Sequence, residues 1–214
     1  MANQEEKLNS GKLKTTDLRC GGVDNPWING IFILIMEVAQ YFHQHHKELL
    51  KEAAVIAEEI TSDFFKLSFC HWRRARYDIL TLEALRAEEI SSHALALVAK
   101  YDGCHKDRLL RSAAFDFYRV CLQDHNILKT LQHVDALSLF PLLLYIVTHE
   151  LVHIVRFSQF LALFEAPEEH KEEEERRVHR LTQTILAPLK VRDLPAVMRY
   201  YDERIEGGLQ YANL

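Results

Sequence analysis

Residues 147–155, VTHELVHIV, contain two histidines and a glutamate with the spacing of a metal site. On a helix, His149 and His153 lie one turn apart on one face, so both imidazole rings can reach one metal ion. Glu150 is rotated from His149 by about 100°, so it can contact a bound water instead of the metal. Zinc lowers the pKa of such a water, and the glutamate takes its proton as the water attacks a carbonyl. The pattern therefore indicates two metal ligands and a general base.

A catalytic zinc site has a third protein ligand, and the next helical segment offers two candidates. Glu175 and His179 are four residues apart, so they share one helix face. If the two helices form a tight antiparallel hairpin that turns near residue 165, His179 is level with His153. A longer connection, or an end of the first helix near Phe157, brings Glu175 level instead. The residues alone leave both candidates open.

Residues 147–188 resemble the minimal gluzincin metallopeptidases, and in particular the ImmA/IrrE-like group. In that group a helix with H-E-x-x-H precedes a helix that bears a glutamate ligand and ends in an L-L-x-P-like signature, for which this chain has ILAP at residues 185–188. The resemblance implies a zinc hydrolase that acts on a peptide or small amide, with one zinc ion per chain. It implies the metal ligands His149, His153 and Glu175, with Glu150 as general base. With Glu175 as the third ligand, we assign His179 to a position behind the ligands or at the emerging oxyanion.

Two other functions fit the same residues. Glu150 and His153 also form the E-x-x-H pair of ferritin-like carboxylate bundles, which bind iron; Glu37, Glu83 or Glu89 would then supply further carboxylates. Alternatively, the motif residues are polar side chains on a partly buried helix of a metal-free interaction protein, where hydrogen bonds satisfy them. Metal content distinguishes the three: one zinc favours the hydrolase, two irons favour the bundle, and no metal favours the interaction protein.

The distribution of glycine predicts an all-α protein. Residues 31–102 and 104–206 contain no glycine and are rich in Leu, Ala, Glu, Lys and Arg, which favour long helices. No run of alternating β-branched residues predicts a strand. We expect a flexible tail over residues 1–25 and a single metal-binding domain of about six helices over residues 26–214, with the motif on a central buried helix. Six expected helices cover roughly residues 26–42, 43–60, 61–102, 106–131, 135 or 141 to 164, and 167–186, and a last short helix covers residues 193–207.

Other charged and histidine-rich segments are interpreted as surface. The cluster His43, His45 and His46 fits a solvated helix end, because the three residues do not share one face. Glu89 and His93 are interpreted as surface residues.

Composition limits the partners and the compartment. The net charge of −5 and the pI near 6.2 give no electrostatic reason to expect nucleic acid or a membrane surface as partner. The apolar segments 31–36 and 137–147 are shorter than the roughly 18 residues that cross a bilayer. The four cysteines form no C-x-x-C pair, and residues 1–14 lack the apolar segment of a secretory signal. We therefore expect a cytoplasmic protein.

Overall fold

The computed structural model describes residues 40–68, 72, 76–104 and 114–206. In this part of the chain there are five α-helices and a three-stranded sheet. The helices are α1 (Gln44–Phe65), α2 (Asp124–His133), α3 (Leu139–Ser158), α4 (Glu168–Leu186) and α5 (Leu194–Glu206). The strands are β1 (Arg76–Leu80), β2 (Ala96–Cys104) and β3 (Ala114–Leu122). The tail expected over residues 1–25 and most of the first expected helix lie outside the described residues.

The sheet contradicts the all-α prediction. Its order is β1-β3-β2, with β1 parallel to β3 and β2 antiparallel to it. The helix predicted over residues 61–102 is wrong, because α1 continues through Thr61 to Phe65 and is followed by β1, two short 3-10 turns and β2. The helix predicted over residues 106–131 is replaced by β3 and the shorter α2. The protein is a mixed α/β structure and not an all-α helical bundle.

Packing decides the strand conformation against local helix propensity. In β3, Tyr118, Val120 and Leu122 are fully buried at alternate positions, which is the period of a strand, and Cys121 on the opposite face is buried as well. Tyr118 stacks on Phe157 of α3, so this face of the strand packs against the motif helix. β2 begins with Ala, Leu, Val, Ala and Lys, of which four favour a helix in isolation. Pairing with β3 along all nine of its residues overrides that preference.

The helices after residue 135 agree with the sequence prediction within a few residues, except at the end of α3. This helix ends at Ser158 instead of near Phe164. Ser138, at the N-terminus of α3, donates a hydrogen bond of 3.0 Å from Oγ to Asp193, which has a positive φ of 65° directly before α5. The starts of α3 and α5 are thereby held together.

Helix α3 is the centre of the core. Both β2 and β3 pack against it, as do α1, α4 and α5. It is long and apolar enough to cross a membrane, with a mean hydropathy of 1.4, but 83% of that stretch is buried inside the protein. Such burial is typical of the core helix of a soluble protein.

The two predictions about surface residues have different outcomes. His43 is the residue before the first turn of α1, and His43 and His45 are exposed, in agreement with a solvated helix end. The surface prediction for Glu89 is wrong, because its side chain is only 2% exposed. A 3-10 turn carries Glu89 to Arg119 of β3, 3.2 Å away, and to the hydroxyl of Tyr101. The ion pair and hydrogen bonds compensate for its burial.

Asp124 links three elements, and its loss should destabilise the fold. Its buried carboxylate accepts the backbone N–H of Phe42 at 2.9 Å and that of Leu82 at 3.1 Å. Asp124→Asn replaces one of the two acceptor oxygens with an amide NH2 group, which cannot accept the hydrogen bond that this oxygen accepted. We expect the free energy of unfolding to fall by about 1 to 3 kcal/mol, measured by urea denaturation. The control Asp135→Asn, at an exposed position, should change it by less than about 0.5 kcal/mol, and equal effects would contradict this role.

Candidate metal centre

Helices α3 and α4 are antiparallel, and their side chains meet in a regular order. Residues with decreasing numbers on α3 contact residues with increasing numbers on α4. The contacts, in order, are Arg156 with Glu174, His153 and His149 with Glu175, and Tyr145 with His179. The connection over residues 159–167 is longer than a tight turn, and α3 ends next to Phe157. For these reasons Glu175, and not His179, lies level with the two motif histidines.

Three potential ligands converge at this level. The Nε2 atom of His149 is 2.8 Å from Oε1 of Glu175, and the Nε2 atom of His153 is 3.1 Å from Oε2. The two Nε2 atoms are 3.2 Å apart. One ligand atom from each of the three side chains lies within 4.8 Å of the other two, and a search of the described residues for such groups of His, Cys, Asp or Glu finds this one. The side chains of His149, His153 and Glu175 are 12%, 0% and 9% exposed, so the group is nearly closed to solvent.

The group forms an ion pair when no metal is bound. Burial acts to lower the pKa of His149, but the Glu175 carboxylate outweighs burial and the pKa is raised overall. Burial acts to raise the pKa of Glu175, and the two histidines outweigh it, so that this pKa is well below its usual range. A carboxylate and an imidazolium in contact thus stabilise each other's charge.

Glu150 lies beside this group and has a different environment. Its side chain is buried, and its Oε2 atom has no hydrogen-bond partner among the described residues. Burial raises the pKa of Glu150, although His149 and His153 act to lower it. One oxygen of this carboxylate is therefore buried without a partner in the described part of the chain.

Aromatic rings hold the two histidine rings. The Nδ1 atoms of His149 and His153 are buried without a hydrogen-bond partner in the described part of the chain. Tyr145 stacks on His149 with centroids 6.2 Å apart, and Phe157 stacks on His153 at 5.7 Å. These two aromatic residues were missed in the sequence. Their spacing of four residues from each histidine was the available signal, because it places all four rings on one face of α3.

His179 is near the group but turned away from it. Its Nε2 atom is 3.0 Å from Oδ1 of Asp202 on α5, and its Nδ1 atom contacts the hydroxyl of Tyr145. Burial lowers the pKa of His179, which keeps the ring neutral at pH 7. The Nε2–H group then donates to Asp202, and Nδ1 accepts from Tyr145. In the sequence, nothing marked Asp202 as part of this arrangement.

The acidic run of residues 172–175 divides into a solvated face and a buried face. Glu172 and Glu173 form exposed ion pairs with Arg176 and Arg177, four residues further along α4. Glu174 faces α3 and binds the guanidinium of Arg156 through both carboxylate oxygens, one of them at 2.9 Å from Nη2. An acidic run next to arginines on a helix is usually a solvated face with intrahelical ion pairs, and here this is true of the first two residues only.

The carboxylates considered for an iron bundle have other partners. Glu83 pairs with Lys47 at 2.6 Å on the surface, and Glu89 pairs with Arg119. Glu37 lies outside the described residues. The structure therefore brings neither Glu83 nor Glu89 into the histidine group.

A cavity of about 360 Å³ lies next to the group. Phe157 lines it and also stacks on His153, so the cavity and the histidine group share this ring. Val98 of β2 and apolar residues of the 159–167 connection, including Leu161 and Phe164, form much of its remaining wall.

Comparisons with known proteins give no relative: no protein-family model, no curated protein and no solved structure matches this chain. The resemblance to the gluzincins over residues 147–188 is neither supported nor contradicted by them.

The Arg156–Glu174 ion pair should be a major determinant of how α4 sits on α3. Both side chains are mostly buried, so Glu174→Ala leaves an unpaired guanidinium in the core. We expect a loss of about 3 to 5 kcal/mol in the free energy of unfolding of the metal-free protein. Glu173→Ala removes only an exposed pair and should cost no more than about 0.5 kcal/mol. Chemical denaturation of the two variants measures the difference, and similar losses would show that the pair does not fix the helices.

Proposed function

We propose that this protein is a cytoplasmic zinc-dependent hydrolase of the metallopeptidase type, with one zinc ion held by His149, His153 and Glu175. The observation that carries the proposal is the convergence of their ligand atoms at separations of 2.8, 3.1 and 3.2 Å. Four ligands at about 2.0 to 2.1 Å from a tetrahedral zinc lie about 3.3 to 3.4 Å from one another. The separations of 2.8 and 3.1 Å end on different oxygens of Glu175, but one ligand atom from each residue lies within 4.8 Å of the others, which brings the group near this spacing.

The donor set is that of a catalytic site. Structural zinc sites have four protein ligands, whereas catalytic sites have three and leave one position open. Zinc bound here would act as a Lewis acid and lower the pKa of a water in that position. Glu150 is adjacent to the ligands and has an oxygen without a partner, so it can accept a proton without breaking an ion pair. These features support its assignment as general base.

The surroundings favour a peptide over a small amide as substrate. Strand β2 is at the edge of the sheet, and no described strand pairs with its outer side. It packs against α3, and its residue Val98 lines the cavity that shares Phe157 with the histidine group. An extended peptide can bind such an edge through its backbone while a side chain enters the adjacent cavity. This corrects the expectation of a site without neighbouring strands.

One observation favours the metal-free alternative. Glu175 already satisfies the Nε2 atoms of both His149 and His153, so the three side chains are stable partners without an ion. As an interaction protein, the chain would keep this arrangement as a buried ion pair between two helices. The buried free thiol of Cys121 fits a reducing compartment under either function, which supports the cytoplasmic assignment.

Metal content tests the site. Protein purified without chelators, or reconstituted with zinc and freed of excess ion, should contain about one zinc per chain by elemental analysis. His153→Ala and Glu175→Ala should lose most of it, because each removes a ligand. His170→Ala, which removes an exposed histidine from α4, is the control and should retain it. Zinc-free wild type after reconstitution would exclude the hydrolase, and two irons per chain would favour the carboxylate site.

Turnover tests the role of Glu150. Glu150→Gln keeps the size of the side chain but cannot take a proton, so it should retain the zinc and lower the rate of hydrolysis by about 100-fold or more. A pool of quenched fluorescent peptides, analysed by mass spectrometry for the bonds cleaved, provides the assay. Equal cleavage by the wild type and Glu150→Gln at equal zinc content would assign the activity to a contaminant or to another base.

A further inference from the structure

We propose that helix α5 regulates the zinc affinity of the site through Tyr201 and Asp202, which hold Tyr145 against the ligand His149. Tyr145, Tyr201 and Asp202 are positioning residues in this proposal. The inference rests on the proposed function, because it concerns the same zinc site. It adds a second element, outside the α3–α4 pair, on which the site depends.

The first contact is a stack of three rings. Tyr145 is fully buried and lies nearly parallel to His149, at 6.2 Å and an angle of 22°. On α5, Tyr201 stacks on Tyr145 at 4.0 Å and 14°. Ligating histidines are usually oriented by a hydrogen bond from the second ring nitrogen. Because Nδ1 of His149 has no such partner in the described residues, the aromatic stack takes over that orienting role.

The second contact is a chain of hydrogen bonds that ends on the same tyrosine. Asp202 accepts the Nε2–H group of His179, which leaves Nδ1 free to accept the hydroxyl of Tyr145. Gln183 also donates to Asp202 at 2.6 Å and fixes its carboxylate. Tyr201 thus holds the ring of Tyr145. Asp202 holds the hydroxyl of Tyr145 indirectly, through His179.

Both contacts come from one helix whose outer side reaches solvent. Tyr145 of α3 lies opposite Tyr201, and Ser138 lies opposite Asp193, so α5 runs parallel to α3 over about two turns. The side chain of Asp202 is 48% exposed, whereas Tyr145 is not exposed at all. A displacement of α5 would therefore break the contacts that hold Tyr145 without any contact to the metal ligands themselves.

Release of Tyr145 should weaken zinc binding. A free His149 ring must lose its rotational freedom when the metal binds, and this entropy opposes binding. Substitution of residues that orient a ligand typically weakens metal binding by 10- to 100-fold. Coupling is reciprocal, so zinc must in turn stabilise the docked α5.

The test compares two neighbouring isosteric substitutions on α5. Asp202→Asn can no longer enforce the Nε2–H form of His179, because the amide can also donate to Nε2. Glu203→Gln removes the same charge from the next, exposed position and is the matched control. Zinc affinity is measured by competition with a chromophoric chelator. The visible spectrum of the cobalt-substituted protein reports the ligand geometry, which a purely structural role of Asp202 would not change.

We expect zinc binding about tenfold weaker in Asp202→Asn, with a changed cobalt spectrum, and no change in Glu203→Gln. Zinc should also slow backbone hydrogen exchange in residues 194–206 of the wild type. If Asp202→Asn does not fold, Tyr145→Phe keeps the ring stack, removes the hydroxyl link and should show the same direction of change.

The outcomes separate this inference from the proposed function. Suppose that the wild type binds zinc tightly, that the variants have the same affinity and cobalt spectrum, and that zinc does not change hydrogen exchange in α5. This result would overturn the role of α5 but would leave the proposed zinc site unaffected. A wild type that does not bind zinc overturns both.

Discussion

The burial of α3 on all sides is the constraint on which the rest of the structure depends. Fifteen of its twenty residues are buried, among them Glu150, His153 and Arg156. A charged or polar side chain in such a place is costly unless another element supplies a partner. Helix α4 supplies Glu174 and Glu175, and these two carboxylates fix both the spacing and the level of the helices. The candidate metal centre is thus a direct consequence of placing polar residues on the most buried helix of the fold.

In the proposed site Glu175 has two alternative partners, the His149 ring and a metal ion. Without a metal Glu175 pairs with His149, and replacement of one partner in such a buried pair typically costs about 3 to 5 kcal/mol. Structural zinc in zinc-finger peptides contributes about 10 to 16 kcal/mol at neutral pH, so an ion pair of this size would not prevent zinc binding at a site of comparable strength. The pair also keeps the three side chains close together, which would limit their rearrangement when an ion binds.

The sequence predicted the helices after residue 135 well and the sheet badly, for one physical reason. The motif, the caps and the prolines are local signals, and they located α3, α4 and α5 within a few residues, except for the end of α3. The strands depend on pairing between residues far apart in sequence, and β2 carries helix-favouring residues. The candidate third ligand also depends on tertiary structure. The choice between Glu175 and His179 follows from where α3 ends and how long the 159–167 connection is, and the sequence alone does not fix these bounds. The contacts of Tyr145 with α5 depend on the same long-range packing and were not predictable.

Glu150 is the residue that a buried ion pair between the two helices would not need. If Glu175 served only to pair with the Nε2 atoms of His149 and His153, nothing in that pairing would require an acid at position 150. An unpaired oxygen on a buried carboxylate costs about 1 to 3 kcal/mol, so an apolar residue at this position would give a more stable protein. Residues that break the local rules of stability occur mainly at functional sites. Under the proposed function Glu150 is such a residue, and proton transfer at a zinc-bound water would account for its place.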